Sequence, residues 1–322
     1  MKILIIGAGG MVGQKLVYKL LEPNFNAFNI DEICLFDLYL PKYKDTRIRR
    51  VIGTVENSEI LKEFSSERFG LIFYLASVVS GEAEENFEKG WNVNLFSMWN
   101  FLSALKVEHL NSSRKYIPKV IFTSSIAVFG SPFPDKIDDE FLCSPQTSYG
   151  AQKASIEILI SDFSRKGFIN GISLRLPTIC VRPGKPNKAA SGFFSNIIRE
   201  PLNGKKAYLP VDPSVRHWHA SPRSAVNFLI HAVSLETFQL ENRRSLNLPG
   251  VSCTVEEQIE SLRSIAGQKA VDLIVSKKDL SIQYMVKGWP KNFSPLKASQ
   301  LGFKSENNFN EIIKIFIEDD LN

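Results

Sequence analysis

Three observations predict an α/β fold built on a doubly wound parallel sheet. Short apolar runs of strand length alternate with longer amphipathic segments through the first 180 residues. The first run ends in a glycine cluster that opens a helical segment, and the second ends in an Asp. Strands with no polar face must be covered on both sides, as crossover helices cover a parallel sheet.

The elements follow in order. Residues 2–6 (KILII) form a continuous apolar run, and residues 12–21 carry helical period with apolar Val12, Leu16, Val17 and Leu20. Residues 33–36 (ICLF) and 71–75 (LIFYL) read as the next strands, followed by a helical segment at 92–105. Residues 120–123 (VIFT), a helix at 151–163 and residues 172–176 (ISLRL) complete the pattern. After Cys180, Pro and Gly cluster at positions 183, 184, 186, 210, 213, 222, 249 and 250. A smaller, less regular region is expected there, with a helix near 222–235 and a strand near 245–248. The expected division is a nucleotide-binding part over residues 1–180, with a return near 215–250, and a substrate-binding region over 181–322.

Composition narrows the function classes. The 322 residues are 44% hydrophobic and 23% charged, values typical of globular proteins. A net charge of +5, with acids and bases interleaved, is too mild to indicate nucleic acid. No apolar run of about 18 residues suggests a membrane span, and the opening MKILIIGAGG meets glycine too early for a secretory core. Cys34, Cys143, Cys180 and Cys253 lack C-x-x-C spacing. Reduced thiols in a cytoplasmic protein without a metal site are expected.

Two constellations carry chemistry. Gly7, Gly10 and Gly13 follow the first strand and open a helix. Glycines there let backbone N–H groups approach a pyrophosphate, and the helix N-terminus adds partial positive charge. Asp37 lies 24 residues beyond Gly13 at the end of the second strand, where a carboxylate bonds ribose hydroxyls and repels the extra phosphate of NADP. The reading is an NAD site. The second constellation is Ser125 at a strand end with Tyr149 and Lys153 four apart on a helix. Bringing a phenol from about 10 to near 7 takes roughly 4 kcal/mol, and an ammonium beside Tyr149 would contribute to it, making Tyr149 a base.

Together, in this order, these features resemble the extended short-chain dehydrogenase/reductase superfamily, which includes NAD-dependent sugar-nucleotide epimerases and dehydratases. The resemblance covers almost the whole chain and implies a Rossmann-type fold. It implies that Ser125 bonds the reacting oxygen, that Tyr149 transfers its proton, and that Lys153 also holds the nicotinamide ribose. Gly7, Gly10, Met11, Val12, Gly13 and Asp37 would bind the cofactor. So would Leu75, Ala76, Ser77, Asn94, Tyr149 and Lys153, with Pro177 and Ile179 offering backbone to the carboxamide. Related proteins dimerise through the helices at 92–105 and 151–163, so a homodimer is expected.

Departures from the family pattern narrow the reaction. Ile126-Ala127 replaces the Asp-Glu of dehydratases and can move no proton. Thr178 stands where nucleotide-sugar enzymes place Asn, and the stretch from Arg216 is rebuilt as RHWHASPR. LASVVSGEAE, RLPTICVRPGKPNKAASGFFSNIIREPL and RHWHASPRSAV resemble the NAD-dependent members that oxidise the 2-hydroxyl of a four-carbon sugar acid. From Phe163 to Arg199 there are seven cations and no acid, which suits a small anionic sugar-acid substrate. Its carboxylate is assigned to Arg182 or Arg216, since a guanidinium binds it bidentately. Lys185, Asn187, Ser80, Ser125 and His217 are the remaining substrate candidates. The alternatives are a nucleotide-sugar epimerase or reductase and a non-catalytic NAD-binding protein.

Overall fold

A computed structural model of the chain describes residues 1–184, 190–240 and 243–321. The strands are β1 (Lys2–Ile6), β2 (Glu32–Asp37), β3 (Ile48–Ile52), β4 (Leu71–Tyr74), β5 (Lys119–Ser125) and β6 (Asn170–Leu176), then β7 (Thr178–Ile179), β8 (Ala207–Leu209), β9 (Arg216–Ala220), β10 (Ser245–Asn247), β11 (Val251–Thr254) and β12 (Ile274–Ser276). The helices that matter for the site are α1 (Met11–Leu20), α2 (Ser58–Ser66), α3 (Ser80–Glu85), α4 (Phe87–Gly90), α5 (Ser97–Asn111), α6 (Ser148–Arg165), α7 (Gly192–Leu202), α8 (Pro222–Ser234), α9 (Val255–Ala266), α10 (Gln268–Val271) and α11 (Leu280–Lys287).

Seven strands form one parallel sheet in the order β10-β6-β5-β4-β1-β2-β3. The alternation along β1 shows why its residues are all apolar. Ile3 and Ile5 pack on one face with Leu16 and Val17 of α1 and Phe228 and Leu229 of α8. Leu4 and Ile6 pack on the other with Phe64 of α2, Phe101 of α5 and Ile156 of α6. Both faces are therefore dry, as the apolar runs require. The order of strands reverses between β1 and β4, and in such sheets ligands bind outside the strand carboxyl ends at that reversal.

Strand β3 escaped the sequence reading because its IRRVI is half polar. It is the sheet edge, where Arg49 reaches the Glu32 carboxylate at 2.8 Å and also pairs with Glu67. An edge strand tolerates such side chains and is protected by them. After β6 the chain turns at Pro177 into β7, which pairs with β9 in a separate three-stranded sheet, β11-β9-β7. A third core, with Val181, Phe194, Ile197, Leu262 and Phe316, lies in this later region. The chain also returns to the main sheet as β10, beside β6.

Candidate active site

A cleft of about 960 Å³ opens where the carboxyl ends of β1, β4, β5 and β6 meet the later region. Its floor begins at the glycine turn. Gly7 has φ +91°, and a Cβ there would lie 2.4 Å from the Ala76 nitrogen. A Cβ on Gly13 would lie 2.3 Å from the Gly7 oxygen, so α1 packs directly on the turn. At Gly10 a Cβ would meet only that oxygen, at 3.5 Å; the room it leaves belongs to the cleft, which Gly7, Gly10, Met11, Val12 and Gly13 line. No side chain caps the start of α1, so its leading N–H groups remain available to an anion. Beside the turn, Asp37 ends β2 and accepts from the N–H of Gly9 at 2.8 Å and of Leu38 at 2.7 Å. These features fit a nicotinamide dinucleotide: space and N–H groups for the pyrophosphate, and an oriented carboxylate for a ribose.

Leu75 and Ser77 line the cleft after β4, and Ala76 packs against Gly7. Asn94 is buried behind them and outside the lining. Its Oδ1 accepts from the Ser77 hydroxyl at 2.9 Å and the Val78 N–H at 2.8 Å, while its Nδ2 donates to Gln152 at 2.7 Å. The direct cofactor contact expected of Asn94 is thus replaced by a supporting one: it shapes the loop that touches the cleft.

Ser125, at the end of β5, and Tyr149, in the first turn of α6, meet across the cleft. Thr147 caps that turn by accepting from the Gly150 N–H at 3.1 Å. The Tyr149 phenol faces the hydroxyls of Ser125 and Ser77, both of which favour its ionised form. Burial pushes its pKa up, while the Arg182 charge and these two hydroxyls pull it down. Lys153 lies one turn below, fully buried, and donates to the Thr123 carbonyl at 2.9 Å. Burial drops its pKa to about 7, against the pull of the Glu157 carboxylate. Sequence reasoning placed the Lys153 ammonium beside the phenol, and it lies 5.4 Å from the centre of the Tyr149 ring; the Arg182 charge also lowers the phenol pKa. Arg182 arrives from a different part of the chain, which spacing along the helix does not record.

Arg182 lines the cleft just past β7. Its Nε donates to the Ile179 carbonyl at 2.9 Å and its Nη2 to the Ser191 hydroxyl at 2.9 Å, while its own carbonyl accepts from Arg199 at 2.8 Å. Among the described residues no carboxylate pairs with it. Ser80 opens α3 and, like Pro177, Thr178 and Ile179, lines the cleft. Lys185 and Asn187 lie outside the described residues.

Arg216 is a correction. It points to the opposite side of β9 from His217, donating to the Ser252 carbonyl at 3.1 Å and to the Glu257 carboxylate at 3.1 Å, and it takes no part in the cleft. Side chains alternate along a strand, so neighbours 216 and 217 cannot both face the same cleft. His217 does reach the lining, but both ring nitrogens are engaged, with the Pro290 carbonyl at 2.8 Å and the Thr178 hydroxyl at 2.7 Å. Arg175, within β6, is structural: it forks onto Glu157 at 2.7 Å and reaches Asn247 of β10 at 3.2 Å.

Sequence reasoning missed two contributions. Thr178 was noted only as a replacement, and Ser281, Tyr284, Met285, Lys287, Trp289 and Pro290 were not considered, although they close the far wall. Nothing local in that segment marks it as lining, since the packing of α11 beside the cleft is a long-range event. Among the described residues, no helix is long and apolar enough to cross a membrane, and no three His, Cys, Asp or Glu side chains group as metal ligands.

Comparison with known proteins agrees with this geometry. Residues 3–221 match the model of the NAD dependent epimerase/dehydratase family. The chain is 40% identical to a D-erythronate dehydrogenase of Cupriavidus necator, over 99% of this chain and 98% of that one. It is 41% identical to a D-erythronate dehydrogenase of Haemophilus influenzae, over all of both chains. A crystal structure described as a nucleoside-diphosphate-sugar epimerase from Agrobacterium tumefaciens superposes with TM-score 0.95 at 47% identity, covering 100% of this chain and 94% of that one. An L-threonine dehydrogenase from Clostridium difficile shares the fold at TM-score 0.84 and 22% identity, covering 98% of this chain and 96% of that one. The chain belongs to the NAD dependent epimerase/dehydratase family, as an oxidoreductase that acts on a CH–OH group with a nicotinamide cofactor.

Proposed function

We propose that the chain is an NAD-dependent dehydrogenase that oxidises the 2-hydroxyl of D-erythronate to the 2-oxo acid. The observation that carries this reading is Arg182, a guanidinium that lines the cleft beside the Tyr149 phenol with no acidic partner among the described residues. Removing a cation from water without a counter-charge is costly; a substrate carboxylate supplies one. In this reading residues 1–180, with the return near 215–250, hold the dinucleotide and the reacting groups, and the region over 181–322 brings Arg182 to the acid.

In this mechanism Ser125 orients the C2 oxygen and Tyr149 removes its proton. Asp37 selects NAD by bonding the ribose hydroxyls, and Lys153 grips the second ribose. When bound, NAD supplies the hydride acceptor. Arg182 anchors the carboxylate, so that C2 alone is presented to the reacting groups. Ile126 and Ala127 offer no acid or base for elimination.

All four thiols are free, which suits the reducing cytoplasm. Phe96, Trp99, Val107 and Leu110 on or beside α5 and Ile158 on α6 are exposed, which suits a homodimer formed through these helices. Light scattering at twice the monomer mass checks it.

Purified protein with NAD and D-erythronate should generate NADH absorbance. Turnover of a nucleotide sugar, with no signal from any four-carbon sugar acid, would refute the reading in favour of the activity named for the Agrobacterium structure.

A further inference from the structure

The pair Thr178–His217 settles which way a hydroxyl points. The Pro290 carbonyl, 2.8 Å from His217 Nδ1, can only accept, so Nδ1 carries hydrogen. His217 is buried, between the stacked Phe194 ring at 5.2 Å and Trp289 at 5.3 Å. Burial and the nearby Arg182 charge lower its pKa to about 4, with the Pro290 bond opposing them, so the ring is neutral at working pH. Its Nε2 then has no hydrogen and accepts. The Thr178 hydroxyl, 2.7 Å away, has a single proton and gives it to that nitrogen. What Thr178 turns to the cleft it lines is therefore a lone pair.

We propose that Thr178 Oγ1 is a specificity determinant that accepts a hydrogen bond from a substrate hydroxyl beyond C2, and that His217 is the positioning residue that keeps it an acceptor. The chemical class selected is a polyhydroxylated acid with an O–H donor at C3 or C4. A 2-hydroxy acid without that hydroxyl leaves the oxygen unpaired, and a site built around a hydroxyl discriminates strongly against a substrate that lacks it. The inference rests on the sugar-acid reading above and deepens it. Of the two histidines at 217 and 219, it is the ring of the first that holds the Thr178 hydroxyl. The second, His219, is buried against Gln258 at 2.9 Å, with no contact to the cleft.

The test compares D-erythronate with its 3-deoxy and 4-deoxy analogues in the wild type and in Thr178→Val, Thr178→Ala and Thr178→Ser. The wild type should prefer D-erythronate over at least one analogue. Thr178→Val should lower kcat/KM for D-erythronate by about 10–100-fold, chiefly through KM, and leave that analogue nearly unchanged, so that the preference collapses. Thr178→Ala should collapse it as well if the Val variant folds poorly, and Thr178→Ser should restore it. The KM for NAD should not move in any variant. An equal loss on all three acids, or a preference that survives in both Val and Ala, overturns the proposal while leaving the D-erythronate reading intact. Absence of wild-type turnover on every sugar acid overturns both.

Discussion

Lys153 sits under Tyr149 rather than at its phenol: its ammonium lies 5.4 Å from the centre of the Tyr149 ring and gives a hydrogen bond to the Thr123 carbonyl at 2.9 Å. The four-residue spacing stacks the two side chains on one helix face, as expected. The phenol, however, reaches past the ammonium toward Ser125, Ser77 and Arg182. Burial lowers the lysine pKa to about 7, and the Arg182 charge lowers that of the phenol.

Burial of Lys153 should be visible in the stability of the ligand-free protein. Below about pH 7 the ammonium is charged both folded and unfolded, and burying it opposes folding in full. Between about 7 and the unfolded value of about 10.4 the folded chain has lost the proton first, so that cost fades as pH rises. Lys153→Met should stabilise the ligand-free protein by about 1–4 kcal/mol at pH 6 and by less at pH 9. Denaturant unfolding at both values checks this; an equal effect at the two would contradict it.

Tyr149→Phe keeps the ring over Lys153 and removes the proton acceptor. We expect kcat to fall by about 10²–10⁴-fold, while NAD still raises the melting temperature as in the wild type. Stopped NADH production with retained cofactor binding is the signature.

Arg182→Met removes both the proposed carboxylate anchor and the charge that lowers the phenol pKa. The KM for the acid should rise about 10–100-fold, with KM for NAD changed far less. The sign of the pH effect follows from the base role. The rate rises as Tyr149 loses its proton, and the phenol pKa rises without the guanidinium, so the acid limb of the kcat/KM profile should move to higher pH. A profile that stays in place would show that Arg182 does not act on the phenol.

Asp37 is held by two backbone N–H groups, at 2.8 and 2.7 Å, and so cannot swing away from an added phosphate. Asp37→Ser should raise the NADP-to-NAD ratio of kcat/KM by about tenfold or more. Initial rates with each cofactor at saturating acid measure it.

The sheet, the glycine turn, Asp37, Ser125, Tyr149 and Lys153 were legible because each rests on local pattern. A parallel strand must be apolar on both faces, a pyrophosphate turn needs glycine, and a helix brings residues four apart together. Edge strand β3 was not legible, since IRRVI obeys a rule that applies only once its place in the sheet is known. Arg182 and Arg216 looked equivalent as cations in Pro-rich or aromatic surroundings. Tertiary structure separated them: β9 turns Arg216 onto Glu257, and Ile179 and Ser191 hold Arg182 in the cleft. The roles of Thr178 and His217 depend on the Pro290 carbonyl, 73 residues away from His217 in the chain. By itself, then, the sequence determined the fold and the cofactor class and nominated Ser125, Tyr149 and Lys153 as the reacting residues, all of which follow from short-range periodicity and turn chemistry. Only the tertiary structure decided which cation and which hydroxyl line the cleft. That choice depends on the face of a strand and on partners brought together from distant parts of the chain, neither of which a local pattern records.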